Sequence, residues 1–256
     1  MCSRGYKRLF RVNLGTTSYK DTWELQKKLV NLRYQSRIPD CLLLTEHLPV
    51  ITMGRATLMQ NLLCSPEELR SRGVDLFSIE RGGDITFHGP GQLVAYPIVD
   101  LNNRGRDLHE YLRDLERLVI ATLGDLGLKA EIKRGLTGVW VNNHKLAAIG
   151  VAVSRWITYH GLALNVNTDL DYFKLINPCG ITQYPVGSVS KMLARHSSEG
   201  LGRTLDMALV AKQLSDNFAR MFCYEMETLE DVDSLIHEDA APGTYGRGAP
   251  ALGGAV

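Results

Sequence analysis

The stretch TGVWVNNHKLAAIGVAV, residues 137–153, predicts two strands joined by a tight turn. Branched and aromatic residues in its first part, and branched or small apolar residues at 146–153, are typical of strands. Asn142 and Asn143 tolerate the left-handed backbone that a hairpin turn needs. Lys145 would open the second strand, where the apolar residues that follow make a solvated lysine unexpected. The stretch therefore indicates antiparallel pairing in a sheet that carries a lysine.

Further strands and three amphipathic helices are predicted on either side of this hairpin. Branched and aromatic runs predict strands at residues 41–44, 50–53, 75–79, 92–98 and 157–164. Apolar residues at helical spacing predict three helices. The first begins near Ser18, the second spans residues 107–126 and ends at Gly127, and the third spans residues 204–222. This mixture predicts an α/β (α+β) class, with a mixed β-sheet and helices packed against it.

The composition is that of a globular domain. Of 256 residues, 45% are apolar and 22% are charged, and the formal charge of +1 argues against nucleic-acid binding and against a membrane-surface protein. No apolar run approaches about 18 residues, and the N-terminus lacks the apolar segment of a secretory signal. Five scattered cysteines do not form a disulfide or zinc pattern, so a reducing cytoplasmic location is expected. Four of them are interpreted as buried thiols: Cys2, Cys41, Cys64 and Cys223.

The chain is predicted to form one catalytic domain, residues 1–225, followed by a C-terminal extension, residues 226–256. Residues 240–256 are mostly Gly, Ala and Pro and have little to bury. We therefore expect flexibility from about residue 240.

A glycine-rich segment, RGGDITFHGPG at residues 81–91, is the first candidate for a binding site. Glycines on both sides of a short strand, residues 84–88, allow a close approach of backbone to ligand, and the alternative is a pair of ordinary loops. The glycine spacing matches neither the dinucleotide fingerprint nor a P-loop.

Cys179 is the second candidate, because Pro178 and Gly180 form a sharp turn around it. A thiol becomes a nucleophile only as thiolate, and a nearby cation such as Lys145 would lower its pKa. The alternative is a buried free cysteine. A third segment, HGLALNVN at residues 160–167, alternates small and large residues. Its bare strand face suits either an acyl slot or packing against a helix.

Four segments in this order resemble the lipoyl(octanoyl) transferases: residues 81–92, 137–150, 160–170 and 176–181. The resemblance extends from about residue 8 to about residue 222 and implies the fold of lipoate and biotin protein ligases. It implies that Cys179 accepts the acyl group and that Lys145 lowers the pKa of that cysteine. It also implies a substrate pocket lined by Arg81, Gly82, Gly83, Asp84, Ile85, Thr86, Phe87, His88, Ala148, Ile149, Gly150, Gly161, Leu162 and Ala163. The family usually has tyrosine at the position of Phe87, so a hydroxyl contact there is in doubt.

The resemblance further implies octanoyl transfer from octanoyl-acyl carrier protein to a lysine of a lipoyl domain. The expected acceptors are 2-oxoacid dehydrogenase E2 subunits and the glycine-cleavage H protein. The reaction would need no ATP, cofactor or metal, since the acyl group arrives as a thioester on phosphopantetheine, and we expect a monomer. Two alternatives remain: an ATP-dependent lipoate or biotin protein ligase, and an inactive homologue that only binds acylated carrier proteins.

Overall fold

The computed structural model describes residues 6–180, 183–195 and 204–237, apart from the side chains of Asn103, Cys179, Ser234 and His237. The strands of this part of the chain are β1 (Lys7–Thr17), β2 (Asp40–His47), β3 (Val50–Met53), β4 (Asp75–Ser78), β5 (Ile85–His88), β6 (Gln92–Ile98), β7 (Val139–Val141), β8 (His144–Ser154), β9 (Ile157–Asn165) and β10 (Tyr224–Leu229). The helices are α1 (Tyr19–Tyr34), α2 (Pro66–Ser71), α3 (Leu108–Asp125), α4 (Val189–Ala194), α5 (Met207–Phe222) and α6 (Asp233–His237).

The larger of two sheets has seven strands in the order β10-β1-β2-β6-β9-β8-β7. Strand β1 pairs in parallel with both of its neighbours, and the other pairs are antiparallel. Asn142 and Asn143 have φ values of 47° and 63°, so the predicted turn between β7 and β8 is confirmed. Strand β8 begins at His144, one residue before the expected start, so Lys145 is its second residue.

Helices cover both faces of this sheet. On one face, α3 and α5 contribute Leu115, Leu118, Leu214 and Phe218 to a core that alternate residues of the strands complete. On the other face, α1 contributes Leu29 and Val30. Each fully buried side chain of this size stabilises the fold by roughly 1.5–3 kcal/mol.

The predicted helix starts carry N-caps. The side chain of Ser18 accepts from the amide of Asp21, and the side chain of Asp107 accepts from the amide of Glu110. These bonds satisfy amides that have no partner inside the helix, so α1 and α3 begin where the sequence predicts.

A smaller sheet, in the order β4-β3-β5, lies beside the β8–β9 end of the large one. Ile51, Ile85 and Phe87 form its own apolar cluster together with Leu69 of α2. The glycine-rich turn that precedes β5 joins the two sheets, because the amide of Gly82 donates to the carbonyl of Val151 in β8 at 2.9 Å.

The structure confirms the predicted α/β class with a mixed sheet and packed helices. It differs at the edge of the large sheet, where β1 and β10 were not predicted. Strand β10 crosses the proposed domain boundary at residue 225, so residues 226–229 belong to the sheet. The tail from residue 240 lies outside the described residues. None of the described helices has the length and apolar character that a membrane span requires.

Candidate active site

A narrow slot lies between strands β8 and β9 and the segment of residues 81–88. Two adjoining cavities form this slot, and Thr86, Ala148 and Ala163 line both of them. Lys145 and Pro178 line one end. Aromatic and imidazole rings line the opposite end: Tyr19, His88, Tyr96 and His160. Small side chains in the middle, Ala148 facing Ala163 across the ladder, make the slot suitable for an unbranched chain.

The slot brings together most of the predicted binding residues: Arg81, Gly83, Thr86, His88, Ala148, Ile149, Gly150, Gly161, Leu162 and Ala163. Gly82 and Asp84 line an adjoining groove instead. Ile85 and Phe87 line neither, which differs from the expectation. They point to the other face of β5, because strand residues alternate between faces, and Phe87 stacks on Tyr172 with centroids 4.7 Å apart. The hydroxyl of a tyrosine at position 87 would therefore point away from the slot.

Lys145 is buried at the head of β8, with 6% of its surface exposed. Its Nζ lies 5.4 Å from the centroid of the Trp140 ring, within the range of a cation–π contact. Its backbone bonds Pro185 and Gly187 on the far side of the loop that follows Cys179. The sheet therefore fixes the root of this side chain, and the Trp140 ring packs beside its ammonium group.

Gly138 makes room for the stem of this lysine. A Cβ at this position would lie 2.7 Å from Lys145 Cε, and the φ of +140° is one that side-chain-bearing residues rarely adopt. The amide of Gly138 donates to Glu116 Oε1 of α3 at 3.1 Å, and Glu116 also bonds Arg113. Helix α3 thus holds the turn that gives Lys145 its space.

The backbone of Cys179 lies in a short 3-10 turn, Pro178–Gly180. Asn61 positions this turn, since its carbonyl accepts the amide of Asn177 at 2.8 Å. The Asn61 side chain donates to Asp84 Oδ2 at 2.5 Å. One buried asparagine therefore ties the Cys179 turn to the glycine-rich segment, a role that no sequence motif indicates.

The lack of a side chain at Gly161 is required by the packing of strand β9 on strand β6, and not by the width of the slot as expected. A Cβ there would lie 2.2 Å from the carbonyl oxygen of Ala95, so glycine is needed for β9 to approach β6. Ala163 and Ala148, by contrast, lie on the slot itself. Segment 160–167 therefore lines a slot, and it also contacts helix α1, where the amide of His160 donates to Gln26 Oε1.

A chain of hydrogen bonds connects the two ends of the slot. His88 Nδ1 contacts Gln92 Oε1 at 2.7 Å, and Gln92 Nε2 donates to Asn165 Oδ1 at 2.8 Å. Asn165 Nδ2 then donates to the carbonyl of Gly187, whose amide bonds Lys145. Gln92 and Asn165 both line the slot near Lys145, and sequence reasoning missed them because neither stood out from its strand.

Buried histidines surround the far end of the slot in their neutral form. Burial lowers the pKa of His47 to about 4, and burial lowers the pKa of His88 and of His160 to about 3. The Arg81 guanidinium, whose Nη2 donates to the carbonyl and hydroxyl of Thr52, lowers the pKa of His88 and His160 further. The neutral imidazoles are compatible with an apolar ligand, and the Arg81 guanidinium beside them is bonded to Thr52.

Three further cysteines, Cys41, Cys64 and Cys223, do not line the slot. Cys41 is fully buried and Cys64 half-buried, both are free thiols, and burial raises the pKa of each. Cys223 is disulfide-bonded and half-buried, so its interpretation as a buried thiol is wrong. Cys2 lies outside the described residues.

Within the ranges that the structure describes, no group of His, Cys, Asp or Glu could hold a metal ion.

A wider groove of about 520 Å³ adjoins the slot. It shares Gly83, Ile149 and Gly150 with the slot, and Gly180, the residue after Cys179, also lines it. Its apolar wall consists of Leu58, Leu108, Leu112 and Leu136. The groove therefore reaches from the surface to the turn that carries Cys179.

Solved structures with the same architecture define the class of fold. A crystal structure of lipoate-protein ligase A bound with ATP has a TM-score of 0.69 at 17% identity, covering 91% of this chain and 93% of that one. The bipartite lipoate protein ligase of Thermoplasma acidophilum has a TM-score of 0.66 at 18% identity, covering 91% of each chain. At these identities the likeness shows the fold alone, and it confirms the expected ligase-like fold. The molecule is an α/β protein with a fold of the lipoate-ligase type.

Sequence relatives narrow this class. Residues 18–219 match the family described as the lipoyl protein ligase A/B catalytic domain. The octanoyltransferase of Desulforamulus reducens is 43% identical over 225 residues, which cover 88% of this chain and 95% of that one. The octanoyltransferase of Koribacter versatilis is 47% identical over 230 residues, which cover 88% of this chain and 88% of that one. The octanoyltransferase of Rubrobacter xylanophilus is 50% identical over 206 residues, which cover 80% of this chain and 89% of that one. The chain belongs to the octanoyltransferases within the lipoyl protein ligase A/B family.

Proposed function

We propose that this chain takes octanoyl from octanoyl-acyl carrier protein onto Cys179 and passes it to a lysine of lipoyl domains. The relatives' name supports octanoyl as the transferred group. The observation that supports the chemistry most is the position of Lys145. Its buried side chain lines the same slot end as Pro178, the neighbour of Cys179. An ammonium beside a thiol lowers the pKa of that thiol and so supplies the thiolate.

In the first half-reaction, the Cys179 thiolate attacks the carbonyl carbon of the carrier-bound thioester. A new C–S bond forms, a tetrahedral oxyanion follows, and the C–S bond to phosphopantetheine breaks. Lys145 donates its proton to the departing thiolate. One thioester replaces another, so the step needs no ATP.

In the second half-reaction, the neutral ε-amine of the acceptor lysine attacks the Cys179 thioester. The C–N bond forms as the C–S bond breaks, and the product is an amide with a regenerated thiolate. Lys145, deprotonated in the first half-reaction, accepts the proton that the amine releases. Conversion of a thioester into an amide drives the transfer forward.

The groove beside the slot gives both protein substrates a route to Cys179. It runs along the glycine-rich turn to Gly180, and its apolar wall suits the phosphopantetheine arm. After the carrier leaves, the lysine side chain of a lipoyl domain takes the same route. The proposed acceptors are E2 subunits of 2-oxoacid dehydrogenases and the glycine-cleavage H protein.

Intact-protein mass spectrometry tests the covalent step. Incubation of the reduced protein with octanoyl-acyl carrier protein should add about 126 Da, the mass of an octanoyl group replacing a thiol hydrogen. Cys179→Ser should lose this adduct, and the matched variant Cys64→Ser should keep it because Cys64 does not line the slot and has a raised pKa. An adduct that survives Cys179→Ser would move the nucleophile to another residue.

The ligase alternative makes an opposite prediction in the same assay. A ligase would form the octanoyl amide on a lipoyl domain from free octanoate and ATP. The proposed transferase should use octanoyl-acyl carrier protein without nucleotide and give no product from octanoate with ATP. Formation of product only when ATP is present would refute the proposal.

A further inference from the structure

Four rings from four different elements line the far end of the slot, on the side away from the groove. Tyr19 comes from α1, His88 from β5, Tyr96 from β6 and His160 from β9, and none of them is more than 7% exposed. The rings of Tyr19 and His88 are nearly parallel at 6.0 Å, and those of Tyr96 and His160 meet edge to face at 6.5 Å. The wall therefore belongs to the packed interior, which yields little to an entering group.

Hydrogen bonds hold these rings in place. Tyr19 Oη lies 3.5 Å from His160 Nδ1, and Tyr96 Oη lies 2.8 Å from His47 Nε2. His88 is held by Gln92 at 2.7 Å. Each ring thus has a fixed orientation, and the end of the slot has a fixed position relative to Lys145.

His160 is held in an unusual backbone conformation. Its φ is +57°, which is uncommon for a residue with a side chain and persists where the surroundings impose it. The amide of His160 donates to Gln26 Oε1 of α1 at 2.7 Å. Helix α1 therefore supplies both the anchor of the His160 backbone and, through Tyr19, the partner of its ring.

The distance between the two ends fits a chain of medium length. The slot follows β8 from Lys145 to Gly150, five residues, or about 16 Å at 3.3 Å per residue. Side chains at both ends reduce this length. An extended eight-carbon acyl chain measures about 9 Å and a sixteen-carbon chain about 19 Å, given C–C bonds near 1.5 Å. The shorter chain fits and the longer one does not.

We propose that Tyr19 and His160 form a stop that limits the acyl chains this enzyme accepts to medium length. The inference rests on the proposed function, because it assumes an acyl chain that enters from the Cys179 end. In this arrangement the terminal methyl group abuts neutral rings rather than solvent. Loss of the His160 ring lengthens the slot without changing the end at which the chemistry takes place.

The variant His160→Gly tests the stop directly. Glycine adopts positive φ readily, so this change removes the ring while relieving the backbone. Arg155→Gly is the matched control, since Arg155 is exposed in the same β8–β9 hairpin, has a φ of +52° and does not line the slot. Both variants and the wild type are assayed for kcat/KM with carrier proteins bearing six- to sixteen-carbon acyl groups.

For His160→Gly we expect the ratio of sixteen-carbon to eight-carbon kcat/KM to rise at least tenfold, because further methylenes become buried instead of excluded. Arg155→Gly should keep the wild-type ratio within twofold. Tyr19→Leu opens the stop from the helix side, should give the same shift, and serves as a second variant if His160→Gly does not fold.

An unchanged length profile in either folded opening variant, while activity with octanoyl persists, overturns the stop. An equal shift in Arg155→Gly overturns it as well, since the effect would then come from the hairpin backbone. If the wild type accepts no acyl group from a carrier protein, the proposed function itself fails, and this outcome is distinct from an unchanged profile.

Discussion

Asn61 connects two loops of the candidate site by hydrogen bonds. Its carbonyl accepts from Asn177, beside the Cys179 turn, and its side chain donates to the carboxylate of Asp84. It is buried and lies outside every segment that carried the family resemblance. Single residues that join two loops escape sequence motifs because their role depends on contacts remote in the chain.

Asn61→Ala should slow the loading of octanoyl onto Cys179 by about 100-fold. Loss of a buried hydrogen bond to a carboxylate costs about 1.5–3 kcal/mol, and a small displacement of a reacting group costs about two orders of magnitude in rate. The measurement is a time course of the acyl adduct by mass spectrometry.

Gln60→Ala is the control, because Gln60 is the exposed neighbour of Asn61 and should load at the wild-type rate. Loading of Asn61→Ala at that same rate would show that the Cys179 turn holds its position without the side-chain hydrogen bond from Asn61 to Asp84.

The two strands at the edge of the large sheet, β1 and β10, form a pair that the sequence pattern does not predict. Strand β1 exposes Lys7 and Arg8 at its start, and β10 alternates charged with apolar residues. The two pair in parallel over six residues, from Lys7↔Tyr224 to Val12↔Leu229, with an ion pair between Arg8 and Glu227. Parallel pairing joins opposite ends of the chain, and local periodicity contains no signal of it.

Truncation tests whether β10 belongs to the domain. A chain that ends at residue 223 loses Tyr224, whose buried hydroxyl donates to Asp40 at 2.5 Å and whose ring stacks on Phe218. Loss of a large buried aromatic side chain costs about 3–5 kcal/mol, so this chain should unfold at markedly lower urea concentration or fail to fold.

A chain that ends at residue 237 keeps every described element and is the matched control. Its urea midpoint should equal that of the full chain, because the Gly-, Ala- and Pro-rich tail has little to bury. Equal midpoints for the 223 and 237 chains would mean that the strand adds nothing to stability.

At the scale of the whole molecule, the buried histidines couple stability to pH. His47, His88 and His160 have pKa values lowered by burial to about 4, 3 and 3, against about 6.5 when solvated. Below pH 6.5 the unfolded chain therefore binds protons that the folded chain does not. Stability must fall as the pH drops through the window from about 6.5 to about 3, and it is fully present above that window.

Urea unfolding between pH 7.5 and 5 measures this effect. Each of the three histidines should add up to about 1.4 kcal/mol per pH unit to the slope of the unfolding free energy. His47→Gln should remove about one third of that slope, since His47 lies behind the wall and does not line the slot. A slope corresponding to less than one proton, or one unchanged by His47→Gln, would contradict the assignment of these imidazoles as buried and neutral.

Local patterns were sufficient for the elements nearest the site. Asn142 and Asn143 could be assigned to a hairpin turn because left-handed backbone is a property of the residue itself, and Ser18 and Asp107 could be assigned to helix starts because capping is local. The glycine-rich segment and the Cys179 turn were recognisable for the same reason. The glycine-rich motif is continuous, so it predicts that Phe87 and Ile85 line the binding wall. In the structure they face away from that wall, because alternate residues of a strand point to opposite faces.

By itself, the sequence determined the fold class, the hairpin that carries Lys145, the family, and most of the residues along the slot, since these depend on residue type and short-range order. Only the tertiary structure decided that Tyr19 and His160 meet at the far end of the slot, that Asn61 links its two loops, and that β1 and β10 pair. Each of these depends on contacts between residues from about 20 to more than 200 positions apart, where chain connectivity imposes no distance and only packing brings the groups together.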